Sequence, residues 1–204
     1  MNNIEIMFNN LKSTPSDINE HLPTLLRYAQ ECDHITEMGV RWVVSTYAFV
    51  VASPKKIISV DIVDPRKLTE SSSHWVQHRC GERLSDIIKH CTNNKIDFNF
   101  ILGDTTKIEI EETDLLFIDT LHEYNQLKTE LSLHANKSRK YIIFHDTESF
   151  RFREERNPDI CGKNEKDKIG IWPAILEFLS ENPQWEIHEI FTNCNGLTIL
   201  KRKF

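Results

Sequence analysis

Long apolar runs are missing from this 204-residue chain, and none could span a bilayer, so no membrane partner is expected. The opening MNNIEIMFNNLKSTPSD has no apolar core, so no secretory signal is expected either. Clustered basic charge is missing too. The net charge is −6, which argues against the broad basic footprint that nucleic acid requires, and the terminal KRKF reads as a solvated end. Cysteines are few: Cys32, Cys80, Cys91, Cys161 and Cys194, an odd number, widely spaced, with no C-x-x-C. That argues against a structural zinc or a disulfide framework and for reduced thiols in a cytoplasmic protein. No internal repeat is visible. No G-x-G-x-x-G is present, and EMGVRW cannot supply one, which removes a nicotinamide-binding turn.

What is present suits a folded domain. Charged residues make up 27% and hydrophobic residues 39%, and the length matches one domain over residues 1–204. Residues 1–32 read as an N-terminal helical region with Ile18, Leu22, Leu25, Leu26 and Tyr28 as its apolar positions. After it, apolar runs alternate with helical patterns. HITEM, KKIISVDIV, DFNFILGD, DLLFIDT and KYIIFHD read as core strands. STYAFVVA, with Ser45 as a cap, ERLSDIIKHC and EYNQLKTELSLHAN read as helices. IWPAILEFLSENP is a further helix with Pro173 in its first turn, and WEIHEIFT and GLTILKR form a hairpin around NCN. Such alternation predicts an α/β fold with an open parallel sheet and an antiparallel edge. Residues 150–168 break the pattern with dense charge and read as a lid or a solvated loop.

Ligands of an open parallel sheet bind beyond the carboxyl ends of its strands. Those ends carry Glu37 and Gly39, Asp61, Gly103 and Asp104, Asp119, and His145 and Asp146. One acid there is an ordinary turn or cap residue; five in register point to a site. Asp61 stands where an acid can accept bonds from both hydroxyls of a ribose. Gly39 would let the backbone approach the ligand, and Asp104 could hold an adenine amino group. Together they predict a nucleoside site.

These stretches resemble the motifs of class I S-adenosylmethionine-dependent methyltransferases. ITEMGVRWVVSTYAF is similar to E-x-G-x-x-x-G-x-S-T, with Glu37, Gly39, Ser45 and Thr46 in place and Val43 where the second glycine stands. SVDI, ILGD and DLLFIDTLHEY resemble the next three strand motifs. IIFHDT resembles the fifth in a subgroup of macrocin-type and cephalosporin-hydroxylase-type O-methyltransferases. The resemblance covers roughly residues 33–200. It implies a Rossmann-like sandwich around a mostly parallel seven-stranded sheet ending in an antiparallel hairpin. It also implies S-adenosylmethionine held at Glu37, Gly39, Ser45, Asp61, Gly103 and Asp104. The turn before the fifth strand, often Pro-Gly-Gly in that family, reads ANKSRK here.

Asp119 and Asp146 end neighbouring strands in such a sheet, and two close carboxylates repel unless they share a proton or a cation. In metal-dependent members of the resembling family, positions matching Asp119, His145 and Asp146 bind the metal. Mg2+ is the expected ion for carboxylates; His145, where glutamate often stands, shifts the expectation toward Mn2+ or another transition metal. His122 is a candidate general base for the hydroxyl of a small molecule such as a sugar, and Asp119 and His122 match the D-x-x-H of the resembling macrocin-type enzymes, in which the histidine has this role. Arg151, Arg153 and Arg156 would suit a carboxylate or phosphate on that acceptor, or form a solvated charge run. His74, Trp75 and His78 read as a surface helix face. A nucleoside-binding module without catalysis is the competing expectation. Acceptor and oligomeric state have no readable code.

Overall fold

The computed structural model describes residues 3–67, 80–156 and 169–203, without the side chain of Cys80. His74, Trp75, His78, Cys161 and residues 157–168 of the charged stretch lie outside the described residues. By internal contacts the chain divides into two units, Met1–Thr105 and Thr106–Phe204.

The first unit starts with helices α1 (Asn3–Ser13) and α2 (Leu22–Ala29). They bury Ile4, Phe8, Leu11, Leu22, Leu25 and Tyr28 on faces set by helical spacing. Strand β1 (His34–Met38) leads to α3 (Ser45–Val51), β2 (Lys56–Asp61) to α4 (Cys80–Asn94), and β3 (Asp97–Leu102) ends the unit. β1 pairs with β2 and β2 with β3, all parallel. β1 is buried along its whole length, as expected of a parallel strand covered on both faces. β3 departs from the sequence reading: it is an edge strand with no buried residue, and Leu102 is left 56% exposed. Its alternation of Phe98 and Phe100 with Asp97 and Asn99 suits a half-covered edge.

The second unit runs β4 (Thr113–Ile118), α5 (Tyr124–His134), β5 (Ser138–His145), α6 (Ile171–Glu181), β6 (Trp185–Phe191) and β7 (Leu197–Arg202). β4 and β5 are parallel, β5 and β7 antiparallel, and β6 and β7 form the expected hairpin. Cys194, Asn195 and Gly196 all take positive φ in its turn. Pro173 is the third residue of α6, where no intrahelical amide donor is needed. The sheet order is β3-β2-β1-β4-β5-β7-β6. Five parallel strands closed by an antiparallel pair make the seven-stranded sheet the resemblance implied. Among the described residues no helix is long and apolar enough to cross a membrane.

Candidate active site

In the first unit the loop after β1 is built around two carboxylates. Glu37 is fully buried inside β1. It accepts hydrogen bonds from Ser45 Oγ (2.5 Å), Thr46 Oγ1 (2.9 and 3.1 Å) and Ser59 Oγ (2.7 Å). Ser45 therefore does not cap α3. Val44 holds the N-cap position without a side-chain bond, because the buried carboxylate is the stronger acceptor for the Ser45 hydroxyl. Glu37 and Ser45 point at each other and fix the start of α3.

Asp61, at the end of β2, accepts from the Val40 and Arg41 amides (both 2.8 Å) through Oδ2 and from the Val63 amide (2.8 Å) through Oδ1. It clasps the β1–α3 loop. Gly39 takes φ +86°, a conformation glycine adopts without a steric penalty. Val43, in the place of the family's second glycine, keeps a left-handed φ of +56°, which is costly for a β-branched residue. The Gly103 amide donates to the Asp61 carbonyl (2.9 Å), so the ends of β2 and β3, with Asp104 next in the chain, are stitched together. Beside them Ile62 is 70% exposed and Val63 42%, with Leu102 paired in register to Asp61. Apolar side chains left exposed at strand ends are surface that a ligand can cover. The sequence reading passed over Ile62 and Leu102 because apolar residues next to a strand look like core.

In the second unit four predicted residues converge. Asp119 follows β4, His122 lies in the turn before α5, His145 ends β5, and Asp146 follows with φ +60°. His122 Nε2 is 3.3 Å from Asp119 Oδ1 and 3.0 Å from Asp146 Oδ2. His145 Nδ1 is 3.3 and 3.1 Å from the same two oxygens. Burial alone would raise Asp146, but hydrogen bonds and charge from His122 and His145 outweigh it and pull the carboxyl down to about 2. Asp119 is lowered in the same way, against its own burial, chiefly by the charge of His145. Burial opposes charge on both imidazoles, yet their carboxylate neighbours hold them well above the ordinary histidine value.

The residues after β5 complete the surroundings of His122, and two of them carry no periodic signal in the sequence. Glu155 Oε2 bonds Nδ1 of His122 (2.9 Å) and its backbone amide (3.1 Å), and the Phe150 ring stacks on the imidazole at 4.8 Å. Arg156 is committed to Glu123, Arg151 stacks over Trp172 (4.2 Å) and pairs with Glu148, and Arg153 lies over Phe150 (5.3 Å). Tyr124 packs, as expected, and its hydroxyl bonds Glu177.

A cation fits this cluster on two observations. One ligand atom each from Asp119, His145 and Asp146 lies within 4.8 Å of the others. Asp146 is 5% exposed, and its buried Oδ1 has no hydrogen-bond partner. A buried carboxylate oxygen left without a donor, on a residue of an acid–imidazole cluster, suits a cation.

No protein-family model and no curated protein matches the chain by sequence. Solved structures do match. An O-methyltransferase from Bacillus cereus in complex with SAH aligns at a TM-score of 0.59 and 14% identity, over 98% of this chain and 89% of that one. A protein provisionally described as a caffeoyl-CoA O-methyltransferase from Staphylococcus aureus aligns at 0.60 and 13%, over 99% and 93%. An SAH-bound methyltransferase from Podospora anserina aligns at 0.55 and 14%, over 100% and 89%. At these identities the likeness is one of fold: a Rossmann-like sandwich around a seven-stranded sheet, as in these methyltransferases.

Proposed function

We propose that the protein transfers a methyl group from S-adenosylmethionine to a hydroxyl of a small molecule, with sugars the first acceptors to test and a divalent metal assisting. The observation that carries this reading is the convergence of Asp119, His122, His145 and Asp146 at the carboxyl ends of β4 and β5 in a class I methyltransferase fold. The fold alone would suit a nucleoside; this cluster adds groups able to take a proton from an acceptor.

In the first unit Asp61 is the ribose acceptor of hydrogen bonds, Gly39 keeps the turn open, and Ile62 and Leu102 offer apolar cover beside Gly103 and Asp104. Glu37 and Ser45 serve the same site indirectly by fixing the turn. When bound, S-adenosylmethionine supplies an electrophilic methyl carbon on a sulfonium whose departure leaves a neutral thioether. In its neutral form His122, in the second unit, takes the acceptor's hydroxyl proton at Nε2, with Nδ1 held by Glu155, so that the oxygen gains nucleophilicity; because the carboxylates around the imidazole hold it well above the ordinary histidine value, that form is reached only at raised pH. Asp119, His145 and Asp146 would hold the metal, which when bound would lower the pKa of a neighbouring hydroxyl.

Calorimetry with S-adenosylmethionine and S-adenosylhomocysteine tests the reading; heat from neither sinks it. The competing reading, nucleoside binding without catalysis, draws support from Val43 in place of the glycine. Nucleoside binding with no turnover on any hydroxylated panel, unchanged by His122→Ala, would favour it.

A further inference from the structure

The third metal position of the cluster is an imidazole, and its surroundings fix which nitrogen it offers. His145 is 1% exposed. Its Nε2 lies 3.2 Å from the carbonyl oxygen of Cys194, in the β6–β7 turn. A carbonyl can only accept, so Nε2 carries the hydrogen. Nδ1 is then the nitrogen turned toward Asp119 Oδ1 and Asp146 Oδ2, at 3.3 and 3.1 Å, and the proton it shares with them is the one a bound cation would replace. The carbonyl is itself held in place: the hairpin turn bearing Cys194 receives the Glu148 and Ser149 amides at the Asn195 carbonyl (2.9 and 3.0 Å). A ring nitrogen oriented by a backbone acceptor on its far side is the usual arrangement of a histidine that binds a metal. The unpartnered Oδ1 of Asp146 adds a further buried oxygen on the same side chain.

We propose that this site selects a first-row transition ion such as Mn2+ over Mg2+, with His145 Nδ1 as a direct ligand beside Asp119 and Asp146 and the Cys194 carbonyl as its orienting partner. The inference rests on the proposed metal-assisted reading for the presence of a cation and goes beyond it in naming the donor atom and the class of ion. The chemistry is one of ligand preference. Mg2+ takes oxygen ligands and retains its waters, whereas imidazole nitrogen suits later divalent ions, and affinity for mixed nitrogen–oxygen sites rises along the first row. His122 Nε2 touches the same two oxygens, so the proposal must be tested against it.

The full chain, stripped with a chelator, is titrated with Mn2+ and with Mg2+ by calorimetry, and the Mn2+ form is read by pulsed electron paramagnetic resonance for coupling to 14N. The expected result is Mn2+ binding roughly tenfold or more tighter than Mg2+, with imidazole 14N coupling. His145→Glu, which makes the site all-oxygen, should lose that coupling and narrow the preference. His122→Ala should keep it. Should the glutamate variant fail to fold, His145→Gln replaces it, and the coupling should again vanish. Equal affinity for the two ions, no 14N coupling in the wild type, coupling that survives at position 145 variants, or coupling lost in His122→Ala overturns the proposal. Absence of binding by either ion overturns the metal component of the proposed function as well, whereas Mn2+ binding without nitrogen coupling overturns this inference alone.

Discussion

A carboxylate sealed inside a sheet must be answered by donors, and Glu37 is answered by three hydroxyls, those of Ser45, Thr46 and Ser59. Glu37→Ala would leave all three without their acceptor, at about 1–3 kcal/mol for each one left unsatisfied. Partial repair by rotation of the hydroxyls lowers the sum, so a loss of about 3 kcal/mol in a denaturant titration is expected, with Glu37→Gln costing less. A drop in S-adenosylhomocysteine affinity with no loss of stability would instead mean that Glu37 meets the ligand directly. Glu123 poses the opposite case, a nearly buried acid answered by an exposed cation. The Arg156 guanidinium beside it holds its carboxyl below the ordinary glutamate value. The folded state therefore binds this proton less readily than the unfolded chain. The pair's contribution is present above the unfolded value, about 4.3, and is lost as pH falls through the lowered folded value. Because Arg156 is mostly exposed, solvent screening keeps the contribution small. Melting curves of wild type and Arg156→Leu should differ at pH 7 and converge at strongly acid pH; a gap that persists there would contradict the assignment.

The element that ties the second unit's site together is the short strap of residues 150–156. Carbonyls of Phe150 and Arg151 accept the first amides of α6, those of Ile171 and Trp172, at 3.0 and 3.1 Å. Glu154 accepts the amides of Tyr124 and Gly170 (3.2 and 2.9 Å), so one side chain serves the starts of both α5 and α6. Gly170 has φ +77°, and a Cβ there would stand 2.5 Å from the Phe150 carbonyl oxygen and 2.7 Å from the Arg153 amide nitrogen. These are backbone atoms with no rotamer to yield. Gly170→Ala is expected to cost about 2–4 kcal/mol and to loosen Glu155 from His122; a denaturation midpoint within error of wild type would refute the packing described. This strap marks where the sequence stops being legible. Strands β1, β4 and β5 could be read because burial on both faces demands unbroken apolar runs, such as Leu115 to Ile118. The placement of Asp119, His145 and Asp146 at strand ends followed from those runs. Glu155 and Phe150 could not be read, since they reach His122 through loop geometry that has no periodicity. Ser45 was misread because a capping serine and a serine bound to a distant glutamate look alike in one dimension. β3 was misread because an edge strand borrows aromatic residues that also fill cores.

At the scale of the whole molecule, each unit carries one set of strand-end groups. Gly39, Asp61, Gly103 and Asp104 lie within residues 1–105; Asp119, His122, His145 and Asp146 lie within residues 106–204. If the proposed reading holds, the two sets should be separable by ligand. Asp61→Ala removes the hydrogen-bond acceptor for the ribose and also frees the Val40 and Arg41 amides. Loss of hydrogen bonds to a charged acceptor, about 1.5–3 kcal/mol, should weaken S-adenosylhomocysteine binding by roughly ten- to a hundredfold. Mn2+ binding should stay near the wild-type value, because no group of the cluster has changed. Asp119→Ala removes a carboxylate from the cluster and should weaken Mn2+ by at least roughly tenfold, with S-adenosylhomocysteine binding little altered. Calorimetry of both variants with both probes gives four numbers, and their pattern decides the matter. Loss of both ligands in Asp61→Ala with a native melting temperature would mean that the nucleoside and metal sites are one coupled site. Unchanged nucleoside affinity in that variant would remove Asp61 from the cofactor's contacts and leave the exposed Ile62 and Leu102 as the residues to test next.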